Sequence, residues 1–166
     1  MQNSENSPKR PNSKQKPEEP LPSNVHMERT VLGALLVENK VWDDGISTLT
    51  VDDFLLDSHQ RIFKQIGGML RSKRGVDIQL LDDALQRSGE LFTVGGPAYI
   101  CYLTEGIPCM REGKFYFHQY IDQLKEYGKL RRIIGACHDA IEAAKKMETK
   151  SEEIVKAMGI QLRGIR

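Results

Sequence analysis

The sequence predicts an all-α protein in two parts, a compact helical bundle followed by a protruding antiparallel helical hairpin. Three observations carry this. No stretch alternates apolar and polar residues convincingly at period two, so strands are not indicated. Between Ser23 and Met110, short apolar-periodic segments alternate with glycine, proline and aspartate punctuation. From about Arg111 the helical pattern then runs to Met147 without a proline. A helix of about 36 residues would be roughly 54 Å long, too long for a compact bundle of this size. The expected organisation is a disordered polar tail over 1–22, a globular bundle over 23–110 and, over 111–166, a helical hairpin with the start of a linker.

The tail carries Pro8, Pro11, Pro17, Pro20 and Pro22 among polar residues and has almost nothing apolar to offset ordering entropy. Its cations Lys9, Arg10, Lys14 and Lys16 are diluted by Glu5, Glu18 and Glu19. Ser23 or Asn24 offers an N-cap to a first helix, whose Met27, Val31, Leu32, Leu35 and Leu36 recur at helical spacing. Gly33 inside that stripe costs a helix about 1 kcal/mol against alanine, so close packing is the expected reason for it. Trp42 and Ile46 suggest a short second helix. Thr50-Val51-Asp52-Asp53 has capping chemistry before Phe54. Asp57 or Ser58 is positioned to cap the helix carrying Ile62, Phe63, Ile66, Met69 and Leu70.

Gly75 ends that helix, and Asp77 caps another with Ile78, Leu81 and Leu85. Gly89 stands where a C-terminal glycine belongs. Val94-Gly95-Gly96-Pro97 reads as a tight turn, with Pro97 opening a helix through Leu103 that Gly106 and Pro108 close. In the long helix, Tyr120, Leu124, Tyr127, Leu130, Ile134, Cys137, Ile141 and Ala144 follow three- and four-residue steps, a coiled-coil-like seam. Glu148-Thr149-Lys150 reads as a turn and Ser151 as the N-cap of a returning helix with Val155, Met158 and Leu162. Such a hairpin leaves apolar surface uncovered, to which Phe115, Tyr116 and Phe117 add, and it calls for a partner.

Composition excludes little but narrows the chemistry. The 166 residues carry a formal charge of +1 with 28% charged residues, so a module living on phosphate contacts is not indicated. Cys101, Cys109 and Cys137 form no C-x-x-C pair and read as reduced thiols of a cytoplasmic protein. No apolar run approaches the ~18 residues that cross a bilayer. A P-loop needs G-x-x-x-x-G-K-[ST], and the Gly113-Lys114 pair fails because Pro108 and Phe115 occupy the other required positions. The double glycines Gly67-Gly68 and Gly95-Gly96 read as short helix breaks. His26, His59, His118 and His138 show no ligand spacing, and His59 reads as a packed or capping residue. The pairs Asp43-Asp44, Asp52-Asp53 and Asp82-Asp83 suit helix starts and exposed faces. The basic group Lys125, Lys129, Arg131 and Arg132 reads as a solvated flank, an inter-subunit ion-pair site or a protein contact. DNA readout ranks last, for want of interleaved aromatics.

The ordered set Glu28, Val31-Leu32-Gly33, Leu36, Trp42-Asp43, Phe54, His59, Ile62-Phe63, Asp77, Leu81, Leu85, Gly89, Leu91, Val94-Gly95-Gly96, Tyr99 and Leu103 resembles the N-terminal domain of bacterial replicative DNA helicases of the DnaB type. Tyr120-Ile121 and the run Leu130-Arg131-Arg132-Ile133-Ile134 resemble the start of that family's hairpin. The resemblance covers about residues 22–145. It implies a collar in DNA replication that assembles through paired hairpins into a dimer or ring and receives primase and, in some bacteria, a helicase loader, with DNA contacted indirectly and no membrane. Carried onto this chain, Tyr127, Leu130, Ile134, Cys137 and Ile141 are the candidate hairpin-pairing residues, and Arg131 and Arg132 the candidate partner contacts.

No catalytic, cofactor or metal residue is expected, since ATP and magnesium belong to a motor domain that this stretch does not contain. The chain stops where the family's linker to that motor should begin, so it is expected to be a fragment or a free-standing collar. The segment Pro108–Tyr120 is longer than the family pattern and places Met110-Arg111-Glu112-Gly113-Lys114 where small residues and Asn are usual. Two rival readings are a stand-alone adaptor or inhibitor that joins a helicase ring, and the helicase-binding domain of a primase. Weak DNA binding is a third.

Overall fold

A computed structural model describes residues 19–107 and 117–165. The polar tail through residue 18, Cys109, the Met110–Lys114 departure, Phe115 and Tyr116 fall outside the described residues. Every regular element described is helical: α1 Val25–Val37, α2 Asp57–Arg71, α3 Ile78–Ser88, α4 Gly96–Leu103, α5 Phe117–Lys146 and α6 Ser151–Arg163. The all-α reading stands.

Helix α1 is the centre of the globule. Asn24 caps it, accepting from the Met27 N–H at 3.0 Å. Thr30 through Leu36 and Glu28 are all buried, so the helix is enclosed on nearly every side, by α2, α4 and α5. Gly33 explains how α4 comes so close. A Cβ there would overlap the Leu103 carbonyl oxygen and press on Ile107.

Trp42 and Ile46, expected on a short helix, lie instead on two 3₁₀ turns, Asn39–Trp42 and Ile46–Thr48. Between them the backbone reaches φ 126° at Gly45, where a side chain would be strained. A third 3₁₀ turn, Val51–Asp53, carries the capping chemistry as expected, with the Asp53 carboxylate accepting from the Thr50 N–H at 2.8 Å.

The start of α2 departs from expectation. Leu56, not Asp57 or Ser58, is the residue before the helix. Asp57 pairs with Arg61 instead, at 2.6 Å. Nor do Gly67 and Gly68 break the chain: both lie inside α2, where Gly67 lets Trp42 pack against the backbone. Asp77 caps α3 by accepting from the Leu80 N–H, and Gly89 ends it in the left-handed region at φ 73°. Pro97 sits in the first turn of α4.

The expected boundary at residue 110/111 does not match the packing. Phe117, Ile121 and Leu124, in the first turns of α5, are buried in the same core as α1 and α2. Phe117 therefore adds nothing to the exposed apolar surface. Only the second half of α5 pairs with α6, where buried Ala136 and half-buried Ala140 and Ala143 share one stripe. On α6 the half-buried stripe is Ile154, Met158 and Leu162. Val155, expected to face inward, is 66% exposed. Ser151 is the first helical residue rather than the cap, which is Lys150.

Candidate functional site

The residues singled out on the hairpin separate into two groups. Leu130, Ile134 and Ile141 are 37%, 43% and 53% exposed, and Cys137 is an exposed free thiol. Steps of four, three and four residues place them on one stripe of α5, to which Ile133 adds further exposed apolar surface. The stripe lies away from the alanines that face α6, because Ala136, Ala140 and Ala143 occupy a different part of the helix circumference. Tyr127 behaves differently. It is half-buried and packs against the globular core, at the root of the hairpin.

Arg131 and Arg132 lie at that root too. The Arg131 guanidinium donates to the Pro22 carbonyl at 2.9 Å and to the Asp52 carbonyl at 2.8 Å. Burial, the larger influence, lowers its pKa from the ordinary arginine value, against the pull of Glu28 and Asp53. Arg132 stands 3.6 Å from the buried Asp53 carboxylate. Gly128 permits this, since a Cβ there would collide with the Asp53 side chain. The structure thus places both arginines against the globule, tying α5 to the 3₁₀ turn before α2. Arg131→Ala is expected to orphan two carbonyls and cost about 1–2 kcal/mol. Hydrogen exchange should quicken around residues 22–24 and 52–54, and unchanged exchange there would argue against the tie.

One arrangement was not legible as a unit in the sequence. Glu28 and His59 are both fully buried. The Glu28 carboxylate accepts from the Leu55 N–H at 2.7 Å and the Leu56 N–H at 3.5 Å, and lies 2.7 Å from His59 Nδ1. His59 Nε2 is 2.6 Å from the Tyr99 hydroxyl. Burial, ahead of the neighbouring Tyr102, raises the Tyr99 pKa, which keeps that hydroxyl protonated. A carboxylate from α1 thus holds the two backbone N–H groups just ahead of α2 and, through His59 and Tyr99, joins α1, α2 and α4. The only signal was three polar residues at positions where the helical stripes face inward. The buried Glu28–His59 pair, with half-buried Tyr99, holds the fold together.

Among the described residues no group of His, Cys, Asp and Glu side chains is placed to hold a metal ion. No described helix is long and apolar enough to cross a membrane. Within the pairs Asp52-Asp53 and Asp82-Asp83, Asp53 caps and Asp83 pairs with Arg87 at 2.6 Å. What remains at the surface with an ordered pattern is the apolar stripe of the hairpin.

Comparison with known proteins agrees with this architecture. Residues 20–126 match the family described as the DnaB-like helicase N terminal domain. The replicative DNA helicase DnaB of Treponema pallidum is 30% identical over 137 residues, 80% of this chain and 31% of that protein. The DnaB of Buchnera aphidicola is 28% identical over 123 residues, covering 74% of this chain and 26% of the relative. That of Rhodothermus marinus is 28% identical over 145 residues, 86% of this chain and 15% of the relative. The chain thus spans less than a third of the length of these relatives. Among solved structures, the N-terminal domain of DnaB helicase from Mycobacterium tuberculosis superposes with a TM-score of 0.77 at 21% identity, covering 87% of this chain and 99% of that one. A DnaB-like replicative helicase solved with its interactions with primase gives 0.68 at 22% identity, covering 86% of this chain and 32% of that one. These two likenesses show the fold. With the family match over the globule and the first turns of α5, the chain belongs to the DnaB-like helicase N-terminal domain family.

Proposed function

We propose that this domain is the assembly and partner-binding collar of a replicative helicase, without ATPase activity of its own. The observation that carries the reading is the apolar stripe Leu130, Ile134, Cys137 and Ile141, exposed on a helix whose first turns are fixed in the core. A hairpin built on a rigid root presents its stripe in a defined direction, which suits pairing with the same stripe on a second copy. ATP and magnesium are assigned to the motor domain of the longer family members. The solved DnaB-like helicase described with primase supports primase as the partner received on the collar.

Light scattering on the purified chain tests assembly. The wild-type chain should form dimers or larger rings, and Ile134→Lys with Ile141→Lys should give a monomer. Both side chains are about half exposed, so the variant should keep its melting temperature within a few degrees. A monomeric wild-type chain at micromolar concentration, or a double variant that still assembles, contradicts the proposal. Capture of primase by the wild-type chain tests the second part.

A further inference from the structure

We infer that the groove where the ends of α1, α3 and α4 meet is a docking site for a basic segment of a partner protein, anchored by an apolar side chain. The groove has a volume of about 400 Å³ and is lined by Leu36, Val37, Asp77, Ile78, Gln79 and Thr104. It lies on the globule, apart from the hairpin stripe, and does not rest on the assembly proposal. Val37 is 64% exposed at its edge, an apolar side chain left in water at a helix end.

Charge selects the occupant. No cation lines the groove, while the Asp77 carboxylate does. Helix ends add to this. Helices α2, α3, α5 and α6 each carry Arg or Lys in the last turn, which offsets the negative end of the dipole. Helix α1 ends at the groove with none, and Lys40 follows only beyond its cap. Helix α4 also has none of its own, although Arg29 reaches its Tyr102 carbonyl. Asn39 satisfies the Leu35 carbonyl at the end of α1 but brings no charge, and the Asp77 carboxylate offsets the positive end of α3 as its cap. An acidic segment would still meet Asp77 and the uncompensated C-terminus of α1; a basic one would complement both.

The test is a titration of the isotopically labelled chain with two synthetic helical peptides of equal length, one of leucine and lysine, one of leucine and glutamate. It is run on the wild type and on the Ile134→Lys, Ile141→Lys background, so that failure of assembly and failure of docking are read separately. The lysine peptide should shift the amide signals of Val37, Ile78 and Thr104 saturably, and the glutamate peptide should not. Asp77→Asn keeps the cap, because Asn and Asp are equivalent there, yet should weaken binding several-fold together with Gln79→Lys. Val37→Glu should weaken it independently. Equal shifts from both peptides, shifts mapping to Leu130–Ile141, affinity unchanged in these variants, or no saturable binding would each overturn the inference.

Discussion

Glu28→Ala is expected to lower stability by about 3–5 kcal/mol, the loss typical of breaking a buried pair from one side. The carboxylate is fully buried, and its removal leaves the Leu55 N–H, the Leu56 N–H and the His59 ring nitrogen without their acceptor. His59, fully buried, cannot turn to water. The chain entering α2 would lose the anchor on its Leu55 and Leu56 N–H groups at the same time. Chemical denaturation should show the loss as a fall in midpoint, and heating as a drop of roughly 10–20 °C. Glu28→Gln should fall between the two, since an amide oxygen still accepts one bond while its NH₂ faces donors. A loss below about 1 kcal/mol in the alanine variant would mean that the cluster is incidental. The double variant Glu28→Ala, His59→Ala should lose less than the sum of the two single variants, because the partners are coupled.

The second large effect belongs to Gly33. Gly33→Ala gains about 1 kcal/mol of helix propensity, and on an exposed face it would stabilise. Here the new Cβ lands on the Leu103 carbonyl oxygen, with Ile107 close behind. A backbone carbonyl cannot rotate away as a side chain does, so α4 must move off α1. Overpacking of this kind costs about 1–3 kcal/mol, and a contact with backbone belongs at the upper end. A melting temperature raised by the alanine would show that propensity outweighs the contact. Gly135 is the internal control: nothing lies within 4 Å of its missing Cβ, so Gly135→Ala should stabilise.

These two residues show how far the sequence could be read. Gly33 was legible as a packing residue because a glycine in the middle of an apolar stripe has a known penalty and so needs a reason. What it packs against was not, because Leu103 is seventy residues away and only tertiary structure joins them. Glu28 lay at an inward position of a predicted helix, yet nothing local says that it anchors the chain entering another helix. Asp57 and Ser58, good caps by local rules, were the wrong expectation because α2 already begins at Asp57, whose carboxylate is taken by Arg61. The hairpin shows the same division. The stripe Leu130, Ile134, Cys137 and Ile141 follows directly from spacing, and spacing cannot tell the face that meets α6 from the face left open. Alanines at 136, 140 and 143 took the inner face because small residues let two helices approach. Tyr127 fits the spacing as well as Leu130 does, but it falls where α5 is still inside the globule.

That last point has a mechanical consequence. Helix α5 is one uninterrupted rod, its foot in the core and its other end at the hairpin turn. The contact of Gly128 with the Asp53 turn, with Arg131 fastened beside it, marks the fulcrum. From there to Lys146 the rod extends roughly 27 Å, so a tilt of about 10° at the fulcrum displaces the tip by ~5 Å. A load applied to the tip would reach α1 through Ile121 and Leu124 with that same leverage, and a small repacking of the globule would swing the hairpin in return.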